Sequence, residues 1–110
     1  MPFNHLHVPQ DFAPALCQDI NLALHESLAE TCAVNPEDDF VLICRCAPGD
    51  MMFHPTFLGE RDPDSAIVIE IALRTGRSNS QKEALYVDMR ARLAALGLEP
   101  GNSIMFLLAN

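Results

Sequence analysis

The chain has 110 residues, 49% hydrophobic and 20% charged, which describes one folded domain and excludes a disordered segment. Seven Lys and Arg against fifteen Asp and Glu leave a net charge of −8, which repels phosphate backbones and argues against a nucleic-acid partner. No apolar run approaches the roughly 20 residues of a membrane helix, and no basic stretch with an apolar core opens the chain, so the expected setting is the cytoplasm with no membrane partner.

Residues 3–8 are rich in His and aliphatics and stop at Pro9, which predicts a strand. Phe12, Leu16, Ile20, Ala23, Leu24 and Leu28 then fall at helical spacing. They predict a helix over 11–33, with Asp11 as N-cap, Pro14 in the first turn and Asn35-Pro36 as the stop. Residues 40–46 form a second strand. A loop over 47–65 carries Pro48, Gly49, Pro55, Gly59 and Pro63. A connection of that length in a small domain is either functional or meets a partner. Residues 66–73, almost wholly aliphatic, are the third strand. Ser78 and Gln81 stand at capping-box spacing, and Leu85, Met89, Leu93 and Leu96 stripe a second helix over 78–96 that Gly97 closes. Pro100-Gly101 turns the chain into a last strand over 103–109.

The two halves repeat. A shift of 63 residues carries Phe3 to Ala66 and Phe40 to Ser103, strand onto strand. Residues 1–110 therefore read as one domain of class α/β (α+β): two tandem β-α-β units, over 2–46 and 66–109, joined by 47–65. They give a four-stranded sheet with both helices on one face. The other face is apolar and bare. Residues 40–46 and 103–109 are apolar on both alternating faces, more than a sheet covered on one side needs. A domain this small also buries only about two-thirds of its surface. Packing as a homotrimer around a threefold axis would cover the bare face. The order β-α-β-β-α-β is also that of a ferredoxin-like domain, which joins its central strands compactly where this chain has a long loop.

Among residues that carry chemistry, Pro2 comes first. Removal of an initiator Met before a small residue leaves a secondary amine, a base that can take a proton from carbon or attack a carbonyl. Burial beside a positive charge would lower its proton affinity toward neutrality. By itself a Met-Pro start is common and has poor specificity. Gly76-Arg77-Ser78 joins the end of the third strand to the start of the second helix, a place where α/β proteins bind anions. The Arg77 guanidinium can hold a carboxylate in two hydrogen bonds, and Arg74 stands three residues earlier. The alternative for either arginine is a surface charge balancing an acidic chain, and for Arg74 the two readings weigh the same. Asp39 enters the second strand, placed to orient a water or hold a proton, whereas Glu37 and Asp38 read as a solvated turn.

Cys17, Cys32, Cys44 and Cys46 sit in apolar segments and read as reduced, buried thiols. Cys44 and Cys46 share a strand face, but zinc prefers a turn such as C-x₂-C, so core packing is preferred to a metal site with His7 or His54. His5 and His7 share a face near Pro2 and either line the site or stand at an exposed edge. His25 reads as a solvated helix residue. Met51, Met52, Phe53 and Phe57 read as a subunit contact.

Pro2, Pro36-x-x-Asp39, Pro48-Gly49-Asp50, Leu58-Gly59 and Gly76-Arg77-Ser78 with Gln81-Lys82, taken in order with the half-chain repeat, resemble the tautomerase superfamily of 4-oxalocrotonate tautomerase-like proteins. The resemblance is to its malonate semialdehyde decarboxylase-like branch, and it is carried mainly from Pro36 onward. It implies a homotrimer of double β-α-β subunits needing no metal or organic cofactor. It also implies Pro2 as the catalytic amine, Arg77 as the carboxylate-binding residue, Asp39 as the proton-handling or water-orienting acid, and a small oxo acid as substrate. Two departures bear on the reaction. A second arginine in that branch stands at the position of Thr75, whereas here it is Arg74, which strand alternation would aim at the opposite face. The chain also ends at Asn110, where those enzymes continue into an aromatic-bearing tail that walls the site. A wetter pocket disfavours decarboxylation.

The expected function is keto–enol tautomerisation of a small 2-oxo acid. The alternatives are a decarboxylase-like or dehalogenase-like activity, and a catalytically silent trimer that retains Met1, which would leave the Pro2 nitrogen an amide. A ferredoxin-like ligand-sensing or metal-handling module is a third class.

Overall fold

The structure, a computed structural model, describes residues 2–109. Its elements are β1 (Phe3–Pro9), α1 (Pro14–Cys32), β2 (Val41–Cys46), β3 (Ile67–Leu73), α2 (Asn79–Ala95) and β4 (Ser103–Ala109), with a single 3₁₀ turn at Pro100–Asn102. The sheet order is β2-β1-β3-β4. β1 pairs with β2 in parallel, β3 with β4 in parallel, and β1 with β3 antiparallel. Each β-α-β unit is thus closed on itself. The ferredoxin-like arrangement, which splits the unit by inserting a strand between its two strands, is excluded.

Alternation along the strands sorts side chains onto two faces. Leu6 and Val8 of β1 and Ile67, Ile69, Ile71 and Leu73 of β3 are buried against Ile20, Leu24 and Leu28 of α1 and Leu85, Met89 and Leu93 of α2. Each such Leu or Ile contributes about 1.5–3 kcal/mol by leaving water. The helices are also clipped together by Arg92, whose Nε donates to Asp88 at 2.7 Å and whose two Nη atoms reach Glu26 at 2.8 Å and Glu30 at 2.9 Å. The opposite face carries Phe3, His5 and His7 of β1, Val68, Glu70 and Ala72 of β3, and a rim of exposed Leu42, Phe106 and Leu108.

α2 begins where local chemistry directs. The Ser78 hydroxyl accepts from the Gln81 N–H at 3.1 Å and the Gln81 side chain accepts from the Ser78 N–H at 2.9 Å, closing the capping box. Gly97 follows the helix at φ 86°.

α1 starts later than expected, and it stops at the expected place by a different device. Asp11 is not its N-cap. Pro14 restricts the residue before it to extended backbone, so Ala13 lies at φ −61°, ψ 141° and the helix starts only at Pro14. The helix ends at Ala33, ahead of Asn35-Pro36, in a left-handed conformation at φ 55°, and the Val34 N–H returns to the Leu28 carbonyl at 3.3 Å. A non-glycine residue there is strained. Ala33→Gly should therefore raise stability by about 0.5–1 kcal/mol, seen as a higher urea midpoint; an unchanged or lower midpoint would contradict this.

The cysteines divide. Cys17 and Cys32 of α1 are buried in the core, but Cys44 and Cys46 are only half-buried, on the open face of edge strand β2, and not in the core as the sequence suggested. The error is one of position: an edge strand has no neighbour on its outer side. Burial first, then the nearby Cys44 and Asp50, pushes the Cys46 thiol up, which keeps it protonated. His54 serves its own loop, its Nδ1 accepting from the Thr56 and Phe57 N–H groups at 3.1 Å each.

Candidate active site

The antiparallel pairing of β1 with β3 decides which parts of the chain meet. It brings the start of β1, the start of β2, the end of β3, the end of α1 and the beginning of α2 to one end of the sheet. Pro2 is buried and stands one residue before Phe3, which faces Ala72 near the end of β3. The Asn4 N–H donates to the Phe40 carbonyl at 3.1 Å, tying the residue that follows Asp39 to the opening of β1. Met1 lies outside the described residues.

Arg77 reaches the same end from the turn before α2. Its Nε donates at 3.2 Å to the carbonyl of Cys32, the last residue of α1. A carbonyl at a helix C-terminus has no partner within the helix and carries partial negative charge, so it anchors a cation well. With Nε engaged, the two Nη groups form the side of the fork able to face a carboxylate. Arg74 is exposed and lies beyond Leu73, where β3 ends. It therefore belongs to the turn with Thr75 and Gly76, and the alternation that would have turned it to the opposite face does not extend to it. Gly76 adopts φ 114°, a backbone conformation that glycine provides at no steric cost.

Asp39 stands at this end with a half-exposed carboxylate whose two oxygens face α1. Asn21 Nδ2 donates to Oδ2 at 3.2 Å, and His25 Nδ1 lies 3.9 Å from Oδ1. His25 is not solvated as expected. Its side chain is 15% exposed, and its Nε2 contacts the Pro36 carbonyl. Residue types and spacing gave no signal for this, because a histidine on the flank of a helical stripe looks like a surface position. Asn4, two residues from Pro2, was likewise missed. It is 2% exposed, and its Oδ1 finds no partner among the described residues.

His5 and His7 are not edge residues. β1 is an inner strand, and both rings lie on the open face around Glu70, with His7 Nε2 at 3.2 Å and His5 Nδ1 at 3.7 Å from Oε2.

The half-chain repeat supplies a control within the molecule. A shift of 63 residues takes Pro2 to Ser65, Asp39 to Asn102 and Arg77 to Pro14. The repeat-related positions therefore lack amine, acid and guanidinium. The cavity of about 470 Å³ at the opposite end of the sheet is bordered by Asp11 and Asp64, which would repel an anion.

Residues 38–110 match the tautomerase enzyme family, a span that contains Asp39, Arg74 and Arg77. The chain belongs to that family. A curated relative, "Probable tautomerase YusQ" of Bacillus subtilis (strain 168), is 26% identical over 111 residues, covering 100% of this chain and 87% of that protein. Among solved structures, a malonate semialdehyde decarboxylase inhibited by 3-bromopropiolate superposes with a TM-score of 0.90 at 22% identity, covering 98% of this chain and 82% of its own. A fused 4-OT described as a symmetric trimer superposes with a TM-score of 0.80 at 18% identity, covering 98% and 85%. At those identities the structural likenesses establish the tautomerase fold and nothing finer.

Proposed function

We propose that this tautomerase-family chain interconverts the keto and enol forms of a small 2-oxo acid without a cofactor, as a homotrimer. The observation that supports this reading best is the gathering of Pro2, Asp39 and an anchored Arg77 at one end of the sheet, while the positions related to them by the half-chain repeat hold Ser65, Asn102 and Pro14. Removal of Met1 gives Pro2 a secondary amine with a usable lone pair. Two Nη donors of Arg77 hold the substrate carboxylate, and Arg74 adds a second positive charge at the turn. In ketonisation the Pro2 ammonium gives a proton to the enol carbon, and Asp39 accepts the proton leaving the enol hydroxyl. Proton return from Asp39 to the amine through water resets the site.

Intact mass and ketonisation of phenylpyruvate enol test the proposal together. A chain lacking Met1 that accelerates ketonisation supports it. A retained Met1 with no acceleration turns the reading to a silent trimer. A second reading, decarboxylation of a 3-oxo acid, draws on the likeness to the decarboxylase fold and on Arg74 lying past the end of β3. Release of carbon dioxide from malonate semialdehyde separates the two.

Trimer formation is argued from the open face. Phe106 is 52% exposed and Leu108 60% exposed on β4, beside an inner sheet face with no helix over it. Phe106→Asp should convert a three-chain species to a single chain in sedimentation. A trimer that persists would exclude this face as the subunit contact.

A further inference from the structure

We infer that His25 is a positioning residue that holds the Asp39 carboxylate in its working orientation. The inference rests on the proposed role of Asp39 as the acid that handles the enol proton. Asn21 and His25 are four residues apart on α1, so they project from the same side of the helix one turn from each other. Both reach Asp39, one to each carboxylate oxygen: Asn21 Nδ2 at 3.2 Å from Oδ2, and His25 Nδ1 at 3.9 Å from Oδ1.

The Asn21 amide orientation is dictated by this contact, since its oxygen would repel the carboxylate. That oxygen is left buried without a partner among the described residues, a cost accepted for keeping the donor on Asp39. The other ring nitrogen of His25 contacts the Pro36 carbonyl, which can only accept, so Nε2 is a donor; the Nδ1 turned to Asp39 attracts the carboxylate as the second N–H of the imidazolium, the form in which His25 does this work. The intervening turn is fixed by itself: the Asp38 N–H donates to the Asn35 carbonyl at 2.9 Å and the Glu37 N–H to Asn35 Oδ1 at 2.9 Å. Pinning Pro36 is therefore redundant for the turn. What His25 adds is control of a carboxylate that is 40% exposed and otherwise free to change rotamer on one side. Misplacing a reacting group by about 1 Å costs as much as 10²-fold in rate.

The two nitrogens of His25 can be tested separately, because the amide nitrogen of Asn overlays Nδ1 and that of Gln overlays Nε2. His25→Asn should keep kcat for phenylpyruvate ketonisation within about 3-fold of the parent. His25→Gln and His25→Leu should lower it about 10- to 30-fold with KM little changed, a loss within the range that misplacement produces. In an Asp39→Asn background, His25→Gln should have no further effect. The ¹³Cγ resonance of Asp39 provides a readout that needs no activity: His25→Gln should move it and His25→Asn should leave it near the parent value. Full activity in Gln with loss in Asn would assign His25 to the Pro36 loop and overturn the inference, as would an Asp39 resonance indifferent to all three variants. An active Asp39→Asn enzyme would instead remove the proposed role of Asp39, whereas an inactive one with unaffected His25 variants would remove only that of His25.

Discussion

Pro2→Ala is expected to lower kcat/KM for ketonisation of phenylpyruvate enol by about 10²–10⁴-fold, the usual contribution of a positioned acid or base. Alanine is also small enough for Met1 to be removed before it, so the variant still begins with an amine. The loss would come from the lost ring, which makes the amine secondary and locks its φ. Pro2 precedes β1 and contributes no strand pairing, so the unfolding midpoint should scarcely move. An undiminished rate in the variant would remove Pro2 from the mechanism and leave only the fold.

Arg77→Ala should lower kcat/KM about 10²-fold or more, chiefly through KM, since each hydrogen bond from a charged donor is worth about 1.5–3 kcal/mol and two Nη groups are lost. The variant also loses the Nε bond to Cys32, so a folding control is needed. Arg77→Lys supplies it. Lysine keeps the charge but not the fork, and should recover a minority of the lost affinity. Arg74→Ala, at an exposed turn position with no such anchor, should cost less. Equal losses at the two arginines would mean that charge alone, and not the anchored fork, binds the substrate.

Much of the fold was legible because its signals are local. Ser78, Gln81 and Gly97 bracket α2 by hydrogen bonds within a few residues, and the residues between them carry their own stripe. The aliphatic run over 66–73 reads as a strand, and it is β3. The half-chain repeat was enough to foresee two β-α-β units, but the strand order that closes each of them on itself came from the structure. Where local signals competed, the stronger steric one won: Pro14 forced Ala13 out of helical backbone and overrode Asp11.

The candidate site was legible in residue types but not in arrangement. Pro2, Asp39, Arg74 and Arg77 are distinguished by chemistry, and each can be read from its neighbours in the chain. His25 cannot, because its partners Pro36 and Asp39 come back to it only after α1 has ended in a left-handed turn and the chain has reversed. Nor could Cys44 and Cys46 be told from core thiols, since the exposure of a strand depends on what lies beside it. The sequence alone determined element types, the repeat and the chemical inventory, because hydrophobic period, caps and side-chain identity act over one or two turns. Only the tertiary structure decided strand order, which end of the sheet holds the functional groups, and which nitrogen of His25 meets which oxygen. Those depend on the antiparallel docking of two units whose contacts lie dozens of residues apart, and no short-range pattern encodes that distance.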